Sequence, residues 1–63
     1  MTHQLIVSDP ELSLILELLE REQRQQLFAI RHTDTPDFRD VLRERLALLD
    51  SLIQRAQTAA VSS

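Results

Sequence analysis

A short break near the middle of the chain, Thr33-Asp34-Thr35-Pro36-Asp37, separates two stretches of similar length. In each stretch apolar residues recur at the three- and four-residue spacing of an amphipathic helix. Pro36 disfavours helical geometry at the residue before it, so one continuous helix is not expected. The break therefore predicts an all-α fold: an antiparallel two-helix hairpin that occupies residues 1–63 as a single domain.

The start of the first helix is marked by a capping box. Ser8 can accept a hydrogen bond from the backbone N–H of Glu11, and the Glu11 side chain can reach back to the N–H of Ser8. Pro10 falls in the first turn, where its missing N–H costs nothing. We predict that the first helix covers about residues 9–31 and that a short tail, residues 1–7, precedes it.

The second helix follows a turn predicted over residues 32–35. Asp34 or Thr35 can cap it, because both side chains carry an oxygen that accepts from the first free N–H groups. We predict that this helix covers about residues 36–57. Residues 58–63 are expected to fray as a C-terminal tail, since no stop signal ends the helix there.

Composition restricts the range of functions. The 63 residues include no Cys, so no disulfide stabilises what is at most one small, marginally stable domain. With no Gly, a phosphate-binding loop is excluded. No stretch is apolar enough to span a membrane, and nothing resembles a signal peptide, so we expect a cytoplasmic protein.

The apolar surface is wider than one helix pair needs. The apolar face of the second helix spans about 160°, more than a single partner helix covers. We therefore predict a homodimer that forms a four-helix bundle. The expected interface residues are Leu14, Leu18, Leu48 and Leu52. Scattered surface exposure is the alternative for Leu14 and for Phe28.

One charged residue interrupts the apolar face of the second helix. An antiparallel hairpin places Arg45 opposite Gln23, where the first helix is also polar at Glu22 and Gln26. An Arg within an apolar layer needs acceptors, which these side chains can supply. We predict that Glu22, Gln23, Gln26 and Arg45 form a polar core layer that fixes the register. Alternatively, Arg45 extends to solvent along its aliphatic stem.

Catalytic and metal-binding patterns are weak. His32, Asp34 and Asp37 have the residue types of metal ligands, but they lie in a turn without a fourth ligand, and helix capping explains both aspartates. No pair of carboxylates is forced into a pocket. We expect no enzyme activity, no metal, no cofactor and no small-molecule substrate.

Basic side chains cluster near the turn. Arg24 and Arg31 share an outer face of the first helix, and Arg39 and Arg43 share one of the second. Such a patch could contact nucleic-acid phosphates, but the net charge of -3 opposes it. Nearby acidic residues favour a solvated face of ion pairs instead; these are Asp37, Asp40 and Glu44.

The turn and the residues after it carry a resemblance. The segment 30–45, with its Thr33-Asp34 turn, Phe38-Arg39 pair and downstream Arg45, resembles a group of short, uncharacterised bacterial proteins predicted to be α-helical hairpins. The resemblance covers roughly residues 11–55. It implies the hairpin fold and a bacterial origin, and it implies no activity.

These observations lead to two hypotheses for function. The first is a non-catalytic protein–protein interaction module, an adaptor or small structural subunit that forms a homodimer and binds an unidentified protein partner. The alternative is a regulatory nucleic-acid-binding hairpin, by architectural analogy with ROP, a two-helix dimer that binds RNA. Fold analogy is weak support, so we favour the first.

Overall fold

The computed structural model describes residues 1–62 and shows two α-helices, α1 (Asp9–Arg31) and α2 (Pro36–Ser62). The helices pack against each other, and the described residues contain no strand. The predicted all-α two-helix hairpin is confirmed. Its pairing with a second copy into a four-helix bundle stays a prediction.

The N-terminus of α1 carries the capping box. The backbone N–H of Ser8 donates to Glu11 Oε1 at 2.8 Å, and the backbone N–H of Glu11 donates to Ser8 Oγ at 3.4 Å. The hydrogen bond from the Ser8 backbone, followed by the one from its side chain, lowers the pKa of Glu11 below its ordinary value of 4.5. The charged carboxylate therefore helps to fix where α1 begins.

The turn between the helices is held by short-range hydrogen bonds. The backbone N–H of His32 donates to the carbonyl oxygen of Ala29 at 3.2 Å, and Thr33 Oγ1 donates to the same oxygen at 2.7 Å. On the other side, the N–H of Arg39 donates to the Thr35 carbonyl at 3.0 Å. These bonds satisfy backbone groups that would otherwise be free at the two helix ends.

Helix α2 continues to Ser62, so the predicted frayed tail after residue 57 is wrong for residues 58–62. Two alanines lie in this last stretch, and neither Gly nor Pro interrupts it, so the helix has no reason to stop. The Thr58 hydroxyl donates to the Gln54 carbonyl at 2.9 Å and the Ser62 hydroxyl to the Thr58 carbonyl at 2.8 Å. Ser63 lies outside the described residues.

The core is small and lies mainly on α2. Leu42, Leu49 and Ile53 are the buried apolar residues of the described chain, each 7–8% exposed. The apolar residues of α1 that face them are only half-buried; these are Leu12, Ile15, Leu16, Leu19 and Ile30. A two-helix hairpin shields each helix on one side alone, which leaves most apolar side chains in partial contact with water.

Candidate functional site

One edge of the seam between the helices carries an ion pair. Arg45 Nη2 lies 3.5 Å from Glu22 Oε1, and the same oxygen accepts a hydrogen bond from Gln26 Nε2 at 2.9 Å. This is the one salt bridge of residues 1–62. Three of the four residues predicted as a polar layer thus form one connected group.

The opposite edge of the seam carries a different polar contact. Gln23 Nε2 donates to Asp50 Oδ1 at 2.6 Å. Because consecutive helical residues point about 100° apart, Glu22 and Gln23 reach opposite edges of α2. Sequence reasoning placed Gln23 beside Arg45 and missed Asp50, although Asp50 borders the apolar face of α2 and could have been considered from that position.

The ion pair is open to solvent in the single hairpin. The side chain of Arg45 is 62% exposed and that of Glu22 is 33% exposed. Gln26 Oε1, by contrast, is buried and has no hydrogen-bond partner in the described part of the chain. A polar layer enclosed within a core would need further covering of this edge, so that layer stays a prediction.

Beside this ion pair, α2 exposes a regular apolar stripe. We define the α2 stripe as six exposed residues that follow one another at alternating intervals of three and four positions; they are Phe38, Val41, Arg45, Leu48, Leu52 and Arg55. Its four apolar side chains are 47–68% exposed. This spacing is that of a coiled-coil seam, here without a partner helix.

Helix α1 adds to the same exposed surface. Leu18 precedes Glu22 by one helical turn and therefore lies on the side of the hairpin that carries the α2 stripe. Leu14 lies one further turn back, where helical periodicity turns it towards the side of α1 that faces away from α2; both leucines are about half exposed. All four predicted interface residues are thus exposed in the hairpin, as are two that the interface prediction omitted, Phe38 and Val41.

A groove extends this surface to the open end of the hairpin. The N-terminal residues Leu5, Ile6 and Val7 form one wall of it. The other lining residues come from the two helices; they are Asp9, Leu12, Ile15, Leu19, Leu52, Arg55, Ala56 and Ala59. Leu52 and Arg55 belong to both the groove and the α2 stripe, so the apolar surface is continuous along much of α2.

Phe28 does not contribute to this surface. It is exposed, and its ring packs against that of His32 with 4.2 Å between the ring centroids. Helical periodicity places it on the side of α1 that faces away from α2. The contact with His32 is a local pairing at the end of α1 and gives no indication of a second docking surface.

The arginines near the turn lie on the other side of the hairpin. Arg24, Arg31, Arg39 and Arg43 are all exposed, and helical periodicity places them on the side of the Gln23–Asp50 contact. Within residues 1–62 none of them forms an ion pair. Asp37, Asp40 and Glu44 are exposed too, so this face is solvated as expected, but its expected ion pairs are not present among residues 1–62.

Two further features, a cluster of possible metal ligands and a membrane-spanning helix, are not found among the described residues. In the part of the chain that the structure describes, no three His, Asp or Glu side chains gather where they could hold a metal ion. Nor do the described residues include a helix with the length and apolar character to cross a membrane.

Comparisons of the chain with protein-family models, with curated proteins and with solved structures give no match.

Proposed function

We propose that the chain is a non-catalytic interaction subunit that acts as a homodimer, with two hairpins packed into a four-helix bundle. The observation that carries this proposal is the exposed α2 stripe. Large apolar side chains that are exposed in one contiguous stripe at coiled-coil spacing mark an interaction surface. A catalytic role has no comparable support, because the exposed surface offers apolar contact rather than converging polar groups.

The exposed area supports this proposal. The hairpin exposes 5482 Å², which exceeds the area of a compact monomer of the same mass by about 1,300 Å². A stable protein–protein interface removes about 800 Å² from each partner. Covering the face that carries the α2 stripe with an interface of this size would remove more than half of the excess exposed area of each chain.

A second copy of the chain is the occupant that we favour. Most soluble oligomers are two-fold symmetric homo-oligomers, in which the same patch of each subunit meets itself. Homodimer interfaces are also more apolar than other interfaces. Four of the six members of the α2 stripe are apolar, and the other two are Arg45 and Arg55. In such a dimer the side that carries the arginines stays exposed and could bind a further protein, as an adaptor requires.

Light scattering after size-exclusion chromatography tests the proposal. We expect wild-type protein at micromolar concentration to have about twice the 7.3 kDa mass of one chain. Val41→Glu should abolish the dimer, because it places a carboxylate among the apolar members of the α2 stripe. Ala47→Glu is the control: it introduces the same carboxylate at an exposed position of α2 outside the α2 stripe and should leave the dimer intact. A folded wild-type monomer would overturn the proposal.

A second candidate function, binding of nucleic acid, is favoured by one observation. Four exposed arginines near the turn have no ion-pair partner within residues 1–62. An electrophoretic shift assay with RNA and DNA at low ionic strength tests this candidate. Salt-sensitive binding that the double variant Arg39→Ala/Arg43→Ala loses, and that Arg21→Ala retains, would support it. Absence of binding at low ionic strength would exclude it.

A further inference from the structure

Resting on the proposed homodimer, we infer its internal arrangement: the two copies pack α2 against α2 in antiparallel orientation, with Arg45 of each copy opposite Leu48 of the other. The interaction surface is the α2 stripe. Three observations lead to this arrangement: the heptad positions of the stripe, the location of its two arginines, and the side on which α1 flanks it.

The α2 stripe contains two alternating sets of residues. Phe38, Arg45 and Leu52 recur every seven residues and form the first set. The second set also recurs every seven residues; it consists of Val41, Leu48 and Arg55. In a two-stranded coiled coil these sets correspond to the two core positions of the heptad. Each set contains one arginine, and this makes the orientation of the partner helix decisive.

A parallel pairing places like charges together. In parallel helices each core position meets the same position of its partner, so Arg45 would face Arg45 and Arg55 would face Arg55. Two such layers would bring like charges together at the interface, and only the Arg45 layer would have an acceptor, Glu22 of each copy, so this pairing is unfavourable. A parallel α2 pair is therefore disfavoured along much of its length.

An antiparallel pairing avoids this repulsion. Each set then meets the other set, and the register that pairs every member of the α2 stripe with another member places Arg45 opposite Leu48 and Val41 opposite Leu52. Phe38 then faces Arg55, a combination that allows a cation–π contact. Shifting the register by one heptad in one direction would set Arg45 against Arg55, and shifting it in the other direction would shorten the overlap. The first register thus pairs all six members of the α2 stripe without an Arg–Arg layer.

The position of α1 agrees with this orientation. The α2 residues that contact α1, such as Leu42 and Leu49, follow Phe38 and Arg45 by four residues. In an antiparallel pair these flanking positions of both helices lie on the same side of the seam. Both copies of α1 then lie side by side and complete a four-helix bundle, whereas a parallel pair would place them on opposite sides.

The two-fold axis of this dimer crosses α2 within two residues of Arg45. Both Arg45–Glu22 pairs then lie beside the axis, and the second copy covers the edge that is open in a single hairpin. Within the hairpin Arg45 uses one of its donors, toward Glu22, so the remaining donors can bind acceptors of the second copy. The buried, unpaired Gln26 Oε1 lies in the same group of side chains.

Site-directed cross-linking tests the arrangement, and the absence of Cys from the natural chain makes each introduced thiol unique. Val41→Cys and Leu52→Cys are prepared separately, mixed in denaturant, refolded together and treated with a short bismaleimide linker. We expect a cross-linked dimer on a denaturing gel from the mixture and none from either variant alone. A mixture of Val41→Cys with Ala59→Cys is the control for the shifted register and should give none.

The other outcomes separate this inference from the proposed function. Cross-linking of Val41→Cys alone would indicate a parallel pair, and cross-linking of the Val41→Cys and Ala59→Cys mixture would indicate the shifted register. Either result overturns the inferred arrangement while the homodimer stands. A dimer by light scattering without any of these cross-links would place the interface elsewhere and overturn the inference. A monomer would overturn both proposals.

Discussion

Arg45 and Glu22 are 23 positions apart in sequence and meet across the hairpin, with 3.5 Å between Arg45 Nη2 and Glu22 Oε1. Because Arg45 is mostly exposed, this pair contributes at most about 1 kcal/mol to a single hairpin. The location of this ion pair matters more than its energy. The pair lies on the edge of the seam that adjoins the exposed apolar residues of α2, whereas the Gln23–Asp50 contact lies on the other edge.

The first prediction concerns the charge of Arg45. We expect Arg45→Leu to keep or raise the melting temperature, because a leucine fits the apolar α2 stripe and the half-exposed Glu22 can be hydrated. The variant should also form mixed oligomers, since the repulsion that excludes other registers is reduced. Circular dichroism melting and light scattering check both effects. Arg43→Leu, on the outer side of α2, is the control and should leave the oligomer unchanged. If Arg45→Leu changes neither stability nor oligomeric state, Arg45 has no role in register.

The second prediction concerns the contact on the other edge. Asp50→Ala should lower the free energy of unfolding by about 1 kcal/mol, because Gln23 loses its hydrogen-bond acceptor on α2. Asp40→Ala is the matched control, since Asp40 is exposed and its side chain makes no hydrogen bond within residues 1–62. Urea unfolding followed by circular dichroism measures the difference. Equal effects of the two substitutions would show that the Gln23–Asp50 bond does not stabilise the hairpin.

The third prediction concerns the start of α1. Ser8→Ala removes the acceptor for the backbone N–H of Glu11 and should cost about 1 kcal/mol of folding free energy. Ser13→Ala makes the same substitution inside the helix, where alanine is favourable, and should be neutral or slightly stabilising. Thermal melts of the two variants compare them directly. A cap without energetic importance would give the same melting temperature for both.

The fourth prediction follows from the lowered pKa of Glu11. A carboxyl group whose pKa is lower in the folded state contributes stability above its unfolded pKa, and this contribution is lost as the pH falls through the folded value. Stability from this group should therefore be complete above the ordinary pKa of 4.5 and decline below it. Melting curves between neutral pH and the acid range measure the decline, which Glu11→Gln should reduce. Glu17→Gln, in the middle of α1, should leave it unchanged; equal pH profiles for the two variants would contradict this role for Glu11.

Much of the fold follows from a few residues of the sequence. Pro36 and the Thr33-Asp34 turn divide the chain into two helices because Pro36 disfavours helical backbone before it, and the capping box at Ser8 gives the start of α1. The end of α2 is harder to predict, because the sequence provides no stop signal and a fraying end is not distinguishable from a continuing helix by pattern alone. The helix is retained there by its own backbone and hydroxyl hydrogen bonds.

The exposed surface was less predictable than the fold. An apolar face of α2 that is wider than one helix can cover contains both Leu49, which is buried, and Leu48, which is exposed. Hydropathy does not separate the two, since only the direction in which α1 packs decides which is covered. The partner of Gln23 was missed for a related reason. Residue numbers predict which turns of the two helices face each other, but neighbouring side chains on α1 point to opposite edges of α2, so the numbers do not predict which edge a side chain reaches.

The concentration dependence of the melting temperature tests most directly the central claim that a second copy completes this fold. Association couples unfolding to dissociation, so the melting temperature of a homodimer rises with protein concentration. We predict that it rises steadily over a ~100-fold increase of wild-type protein through the micromolar range, and that Val41→Glu abolishes the rise. A wild-type melting temperature that stays constant over this range, with the mass of one chain throughout, would contradict the account.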